Sequence, residues 1–211
     1  MIKSELYRKI FHVFSIVIPI IYYFFLHSRK IALIILLPIA LISIIVDIIR
    51  IEHPTVRKIF YRIFGVMLRN KEISKLTGAS YLLTSSVICI AVFPIEITFL
   101  TLSFLSIGDT FASLVGIPFG KREVVKYNKT IEGGLACFLS NFVFGIISYY
   151  LIFSKAPSEL YLKIGQLYLV MIFTGAVSSA IAEFINIPIN DNIRIPLFSG
   201  IVMSLTFMLI P

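Results

Sequence analysis

Long apolar runs alternate with short polar segments along almost the whole chain. Seven of these runs approach the roughly 20 residues that an α-helix needs to cross the hydrocarbon core of a bilayer. We therefore predict an all-α fold, a polytopic membrane helix bundle with about seven transmembrane helices. The predicted spans are residues 10–26, 31–49, 79–93, 95–116, 132–153, 165–186 and 194–210.

Residues 54–69 follow a different pattern. Arg and Lys recur there among Phe, Ile, Val and Met at mixed helical spacing. Such a segment is typical of an amphipathic helix that lies at the interface of an anionic leaflet. We therefore predict one interfacial helix beside the transmembrane helices.

Composition agrees with a membrane protein. Of the 211 residues, 58% are hydrophobic and 14% are charged, which leaves too little polar surface to cover a soluble domain. The length accommodates six to eight helices in a single domain, residues 1–211, without room for a second one. The start of the chain, residues 1–25, lacks a small-residue cleavage site, so its apolar run is expected to remain as a helix. Cys89 and Cys137 lie in apolar stretches without metal-ligand spacing and are interpreted as packing residues.

The distribution of charge predicts an orientation. Threading seven spans with the N-terminus inside places 15 of the 19 Lys and Arg residues on one side, which is therefore predicted to be cytoplasmic. Unusual polar residues fall near the same side: Arg8, Lys9, His12, Asp47, Arg50, Asp109, Lys121, Lys129, Glu132, Glu183 and Asp191. This favours chemistry at the cytoplasmic interface, where a nucleotide can meet a lipid headgroup, over transport through the midplane. No nucleic-acid partner is expected, and no oligomeric state is predicted.

Asp109 is the most informative residue in the chain. A carboxylate at bilayer depth costs roughly 2.5–3.5 kcal/mol on insertion scales, so its presence near the end of an apolar run predicts a function. Gly108, Gly116 and Gly120 surround it in sequence and would permit close backbone approach or a positive φ. Basic residues that could contact phosphate follow: Lys121, Arg122, Lys126 and Lys129. The run differs from a Walker A loop in its glycine spacing and in lacking the Ser or Thr that binds magnesium.

A magnesium site is one interpretation of this pattern. Mg²⁺ prefers one or two carboxylates together with water and phosphate oxygens, and either Glu132 or Asp191 could complete a site with Asp109. Structural alternatives stay open, since the glycines could serve helix packing and the lysines topology. Thr130 could be an N-cap with Glu132 favoured by the helix dipole.

Two further polar groups also have structural alternatives. Asp47 and Arg50 could pair at i,i+3 spacing on one helical face. His12 could be a hydrogen-bonded packing residue rather than a chemical one. Glu183, inside the sixth span, is harder to explain by packing alone.

Several motifs, in order along nearly the whole chain, resemble the family of dolichol kinases, phytol kinases and CTP-dependent diacylglycerol kinases. They are Arg8-Lys9-x-x-His12, Asp47-x-x-Arg50, Thr77-Gly78-Ala79-Ser80-Tyr81, Gly108-Asp109-Thr110-x-Ala112-Ser113-x-x-Gly116, Phe119-Gly120-Lys121, Lys129-Thr130-x-Glu132-Gly133 and Asp191-Asn192. The two central motifs, around Asp109 and Lys129, are the most specific. The absence of the long N-terminal membrane region found in some members suggests a compact prokaryotic or archaeal form in the cell membrane.

The resemblance implies a lipid kinase that transfers the terminal phosphate of CTP to the hydroxyl of an isoprenoid or glycerolipid alcohol: dolichol, phytol, geranylgeraniol or diacylglycerol. It implies Mg²⁺ held by Asp109 and Glu132, with catalytic residues Asp109, Lys129, Glu132, His12 and Glu183. The general base would be Asp109, Glu183 or His12. The implied nucleotide-binding residues are Gly108, Thr110, Ser113, Gly116, Gly120, Lys121, Arg122, Thr130, Gly133, Asp191 and Asn192.

Two other functions use similar residues. An integral-membrane cytidylyltransferase acting on a phosphatidate-like lipid would also need CTP, magnesium and carboxylates within the membrane. A small cation-coupled transporter could bind its ion at Asp109 and Glu183 and would show no nucleotide dependence. The products of a labelled-CTP assay distinguish these three functions.

Overall fold

The computed structural model describes residues 2–65, 68, 72–124, 129–153, 158–185 and 187–209. Almost all of this length is helical. Residues 66, 67 and 69 of the predicted interfacial segment, and Lys126, lie outside the described residues. The elements are α1 (Ile2–Phe14), α2 (Val17–Ile21), a π-helical turn (Tyr22–Leu26), α3 (Arg29–Glu52), α4 (Pro54–Phe64), α5 (Gly78–Val92), α6 (Ile95–Phe119), β1 (Glu123–Val124), β2 (Lys129–Thr130), α7 (Ile131–Phe153), α8 (Ser158–Phe184) and α9 (Asp191–Leu209).

The predicted membrane helix bundle is confirmed. In the described part of the chain, six helical segments are long and apolar enough to cross a membrane. They are Arg8–Leu26, Arg29–Glu52, Ile95–Phe119, Ile131–Ile152, Gly165–Phe184 and Asp191–Leu209. The remaining predicted span, residues 79–93, forms the shorter apolar helix α5 of 15 residues. Helix α4 covers residues 54–64 of the amphipathic segment and has no buried residue. Its location at a membrane interface stays a prediction.

The first span is less regular than hydropathy indicates. Helix α1 ends at Phe14, and the Ser15 hydroxyl donates to the His12 carbonyl at 2.5 Å. Pro19 has no N–H to donate within α2, and the π-helical turn is followed by His27, whose φ is 52°. These local breaks leave the apolar pattern unchanged, which explains why the sequence predicted a continuous helix over residues 10–26.

Helix α6 lies at the centre of the bundle. It packs against α1, α2, α5, α7, α8 and α9, and most of its side chains between Ile97 and Ala112 are buried. A helix that is apolar on all faces is expected to be surrounded by others. Phe104 and Leu100 of α6 meet Ile172 and Met203 in the largest apolar core. Asp109 is therefore carried by the most enclosed helix of the fold.

Glycines allow α6 and α7 to approach closely. A Cβ atom on Gly108 would lie 2.5 Å from Asn141 Nδ2 and 2.7 Å from Cys137 Sγ. A Cβ atom on Gly116 would lie 2.9 Å from Thr130 Oγ1 in β2 and 3.3 Å from the Cα atom of Gly133 in α7. Among the described residues no glycine has a positive φ. Close helix packing, one of the two alternatives raised by the sequence, accounts for both glycines.

A buried ion pair fixes residues 72–77, which precede α5. Asp47 accepts from Arg50 Nε at 2.7 Å and from the backbone N–H of Thr77 at 2.7 Å. The other two Arg50 nitrogens donate to the carbonyls of Glu72 and Lys75 at 3.0 and 2.7 Å. Since both side chains are almost fully buried, the i,i+3 pairing predicted as a structural alternative is confirmed.

We expect Asp47→Ala to lower the free energy of unfolding by about 3–5 kcal/mol, because it leaves the buried Arg50 guanidinium without a carboxylate partner. Thermal unfolding in detergent measures this change. Ile45→Ala is the matched control, because Ile45 lies on the same helix and its side chain is 53% exposed. Equal destabilisation by both variants would contradict a structural role for the ion pair.

Candidate active site

Several helix ends meet at one end of the bundle and bring polar residues from distant parts of the chain together. The end of α8 and the starts of α5 and α9 lie there, beside α1, α6 and β2. We define the polar cluster as three carboxylates and three cations: Asp109, Glu183, Asp191, Lys9, Lys129 and Arg194. Five ion pairs or hydrogen-bonded contacts connect its members in two groups.

Asp109 is held by α1. The Lys9 ammonium pairs with Asp109 Oδ2 and also donates to the Asp109 backbone carbonyl at 2.8 Å. His12 Nε2 lies 3.9 Å from the same carboxylate oxygen. Lys9, His12 and Asp109 are all buried. The ion pair offsets the cost of placing this carboxylate inside the bundle and fixes α1 against α6.

His12 is oriented by Asn192. Its Nε2 lies 3.1 Å from Asn192 Oδ1, while Asn192 Nδ2 donates to the carbonyl of Gly78 at 2.8 Å. Because the amide nitrogen of Asn192 faces Gly78, its oxygen faces the imidazole, and His12 Nε2 is the donor. The neutral ring therefore carries its lone pair on Nδ1, which is buried without a hydrogen-bond partner among the described residues.

Lys129 joins two carboxylates. Its ammonium pairs with Glu183 Oε1 and lies 3.4 Å from Asp191 Oδ2, and Arg194 Nη2 donates to Asp191 Oδ1 at 2.6 Å. Burial disfavours the charged ammonium, but the charges of Glu183 and Asp191 outweigh this effect and raise the pKa of Lys129. Lys129 is therefore a cation throughout the physiological pH range.

Glu183 provides one carboxylate oxygen of the kind that a hard cation binds. It is 4% exposed, and its Oε2 is buried with no hydrogen-bond partner among the described residues. In that part of the chain no three His, Cys, Asp or Glu side chains form a metal cage by themselves. Mg²⁺ in nucleotide sites commonly uses one or two carboxylates together with phosphate oxygens. Glu183 and the neighbouring Asp191 fit this kind of site.

Two adjoining cavities reach the polar cluster. A polar cavity of about 310 Å³ is lined by Lys129, Glu183 and Arg194, together with Lys75 and Tyr81. An amphipathic cavity of about 410 Å³ contains His12, Asp109 and Asn192 at its polar end. Asp191 lines both cavities, so the two meet at the start of α9.

The chain is 30% identical over 195 residues to an uncharacterized protein of Rickettsia prowazekii, an alignment that covers 90% of this chain and 88% of that protein. The two belong to one family. The chain is also similar to CTP-dependent diacylglycerol kinase 1 of Schizosaccharomyces pombe, with 29% identity over 164 residues, 75% of this chain and 73% of the relative. CTP-dependent diacylglycerol kinase 1 of Saccharomyces cerevisiae is 27% identical over 216 residues, 96% of this chain and 73% of the relative. No family model matches the chain, and no solved structure matches it.

These relatives support the resemblance to CTP-dependent diacylglycerol kinases that the motifs indicated. The structure brings together many of the motif residues on which this resemblance depends: His12, Asp109, Lys129, Asp191 and Asn192, with Glu183 beside them. The grouping joins residues that lie up to 180 positions apart in the chain.

Glu132 and its neighbours lie along the start of α7. Glu132 Oε2 accepts from the backbone N–H of Arg122 at 3.3 Å, and Thr130 Oγ1 accepts from the N–H of Gly133 at 3.1 Å. Thr130 is therefore an N-cap, as one alternative predicted. The bond to Arg122 ties Glu132 to the β1–β2 hairpin, and the role of Glu132 as a metal ligand stays a prediction.

Other residues proposed from the motifs lie in the last turns of α6 and between α6 and β1. Thr110 Oγ1 donates to the Ser106 carbonyl of its own helix at 2.7 Å, and Ser113 is half-buried. Gly120 N–H donates to the Gly116 carbonyl and closes the last turn of α6. The side chains that follow, Lys121 and Arg122, are exposed. Nucleotide contacts by these residues stay predictions.

Sequence reasoning did not assign a role to Lys9 or Arg194, the two cations that complete the polar cluster. Lys9 belongs to the Arg8-Lys9-x-x-His12 motif, and Arg194 follows Asp191 at i,i+3 spacing. Tyr81 and Lys75, which line the polar cavity, were also not assigned. For Arg194, the i,i+3 spacing from Asp191 was the feature of the sequence that could have predicted its ion pair.

Proposed function

We propose that this chain is an integral-membrane, CTP-dependent lipid kinase whose acceptor is diacylglycerol or a related lipid alcohol. One observation carries the proposal: a polar cavity lined by Lys129 and Arg194 adjoins an amphipathic cavity that contains Asp109. Cations suit the phosphates of a nucleotide, and an amphipathic cavity suits an alcohol with a hydrocarbon chain. Similarity to CTP-dependent diacylglycerol kinases supports CTP as the donor and diacylglycerol as the first acceptor to test.

The residues divide between the two reactants. Lys129 and Arg194 bind the oxygens of the transferred phosphate and neutralise the charge that develops on them. Glu183 and Asp191 are the carboxylates that would hold Mg²⁺, which neutralises nucleotide phosphate charge when bound. Because Asp109 lines only the cavity of the alcohol, it orients the hydroxyl and accepts its proton.

The transfer needs no covalent enzyme intermediate. The oxygen of the alcohol forms a bond to the terminal phosphorus, and the bond between that phosphorus and its bridging oxygen breaks. The electron pair of the broken bond leaves with CDP, and the hydroxyl proton passes to the Asp109 carboxylate. Catalysis then depends on position and electrostatics, which a rigid cluster of paired charges provides.

Purified protein in lipid nanodiscs is expected to transfer label from γ-labelled CTP to a lipid alcohol. The test uses diacylglycerol, dolichol, phytol and geranylgeraniol separately, with thin-layer chromatography of the lipid products. Labelled phosphatidic acid is the expected product with diacylglycerol. A labelled prenyl phosphate without labelled phosphatidic acid would show that the acceptor is an isoprenoid alcohol and not diacylglycerol. The assignment as a kinase would stand.

Two other outcomes would overturn the kinase assignment. Label released as pyrophosphate, with CMP retained on a phosphatidate-like lipid, is the result expected for a cytidylyltransferase. Cation-driven solute flux in proteoliposomes without any nucleotide requirement is the result expected for a transporter. A parallel assay with α-labelled CTP separates kinase from cytidylyltransferase, because only the latter transfers the α-phosphate to lipid.

A further inference from the structure

The amphipathic cavity has walls of two kinds. Its polar end is formed by His12, Asp109 and Asn192, which belong to the candidate active site. Further polar residues also line the cavity: Arg8, Ser43, Asp47, Glu72, Thr77, Asn190 and Asp191. Its larger apolar side chains are contributed by α1, α3, α4, the segment after α4, and α5. These apolar residues are Phe11, Val46, Phe60, Phe64, Leu68 and Leu82.

The apolar part of this cavity reaches the outer surface of the bundle. Phe11, Val46 and Phe64 line the cavity and are 49%, 39% and 45% exposed. Helix α1 packs against α6, whereas α3 packs against α4 and α5, so the cavity has α1 on one side and α3 and α4 on the other. The outer faces of α1 and α3 carry many exposed Ile, Leu and Phe side chains and belong to segments that can cross a membrane.

We infer that this cavity holds the hydrocarbon chain of the acceptor lipid, which enters from the membrane between α1 and α4 with its hydroxyl directed to Asp109 and His12. The inference rests on the proposed kinase function. It goes further by naming the route of the lipid and the residues that contact its chain.

Polarity favours a lipid chain over the nucleotide as the occupant. A phosphate chain placed against Phe11, Phe60 and Phe64 would lose its hydration, whereas an alkyl chain there leaves only water. The lining contains Arg8, but it also contains the carboxylates of Asp47, Glu72 and Asp109, which repel phosphate. The nucleotide has the polar cavity with Lys129 and Arg194. Because Asp191 lines both cavities, an alcohol in one and a phosphate in the other meet at the polar cluster.

Filling the cavity with a larger side chain tests the inference. In Val46→Trp, the indole occupies space that the lipid chain requires, and the KM for diacylglycerol is expected to rise by roughly tenfold or more, as overpacking costs indicate. The KM for CTP is expected to stay within about twofold of wild type, since the nucleotide lies in the other cavity. Ile45→Trp is the matched control, because Ile45 is the adjacent residue, is exposed, and does not line the cavity.

A second measurement on the wild-type protein keeps the inference testable if Val46→Trp does not fold. A diacylglycerol analogue with a diazirine in its acyl chain is photolysed in nanodiscs, and cross-linked peptides are identified by mass spectrometry. Adducts on peptides containing Phe11, Val46 or Phe64, reduced by excess diacylglycerol, are expected. Adducts confined to the outer faces of α7 and α9, or equal kinetics for Val46→Trp and Ile45→Trp, would overturn the inference.

Failure of the inference is distinct from failure of the proposed function. If the wild-type protein phosphorylates diacylglycerol and Val46→Trp behaves like Ile45→Trp, the kinase proposal stands and the proposed lipid route is wrong. A wild-type protein that phosphorylates no lipid alcohol rejects the kinase itself. Cross-linking at the cavity without phosphorylation would identify a lipid site that serves another reaction and would reject the inference as stated.

Discussion

Asp109→Asn is expected to lower the rate of lipid phosphorylation by about 10²–10⁴-fold, the range typical of removing a general base. The carboxamide keeps the shape of the side chain but accepts a proton poorly. The expected effect falls mainly on kcat, because Asp109 acts on the hydroxyl during transfer. Rates from γ-labelled CTP at saturating diacylglycerol measure it.

Loss of stability is the main confounding effect in this variant. Asp109→Asn leaves the Lys9 ammonium buried without its carboxylate, and breaking a buried ion pair in this way costs about 3–5 kcal/mol. The double variant Lys9→Met with Asp109→Asn removes both charges and is expected to unfold at a temperature closer to wild type. It is still expected to be inactive. Recovery of activity in the double variant would show that Asp109 acts only by holding α1.

Glu132→Gln provides the matched change of carboxylate to carboxamide at the other predicted metal ligand. Because Glu132 accepts from the Arg122 backbone at the start of α7, we expect its loss to change the rate much less than loss of Asp109. Equal losses of activity in the two variants would instead support the original prediction that Asp109 and Glu132 share a magnesium ion.

Hydropathy predicted the membrane helices because burial in lipid requires a local run of apolar residues, and such runs are visible without knowledge of partners. The same signal could not show the break after Phe14, where the Ser15 hydroxyl bonds to the His12 carbonyl. It also missed the β1–β2 hairpin, whose two-residue strands pair Glu123 with Thr130. Such short elements have no periodicity to detect.

The candidate site could be predicted as a set of residues but not as a set of contacts. Asp109 and Glu183 were recognised because charge is costly inside a membrane helix, and Lys129 because it is one of the basic residues that follow Asp109 and could contact phosphate. Their partners depend on tertiary packing: Lys9 lies 100 positions from Asp109, and Lys129 lies 54 positions from Glu183. By spacing, either Glu132 or Asp191 could complete a metal site with Asp109, and the family resemblance implied Glu132. Long-range packing places Glu183 against Lys129, a contact that no spacing in the sequence indicates.

Lys129→Met is expected to lower kcat/KM for CTP by about 10²–10³-fold, as removal of one preorganised group that stabilises developing charge commonly does. The methionine side chain keeps much of the length and apolar stem of lysine but cannot neutralise phosphate oxygens. Lys129→Arg retains the charge and is expected to recover part of the activity, since its broader guanidinium must fit between Glu183 and Asp191.

Two controls distinguish a contact of Lys129 with phosphate from a role in which Lys129 only neutralises the buried carboxylates. Lys121→Met removes an exposed lysine from the same side of the bundle and is expected to reduce CTP use far less. Lys129→Met combined with Glu183→Gln removes the unpaired buried carboxylate and is expected to recover thermal stability without activity. Activity that returned together with stability would show that Lys129 only balances Glu183. Persistent inactivity in a stable protein would show that the loss of activity is not a loss of folding. Partial recovery in Lys129→Arg, which leaves Glu183 in place, would then identify the cationic charge at position 129 as the group that the transferred phosphate needs.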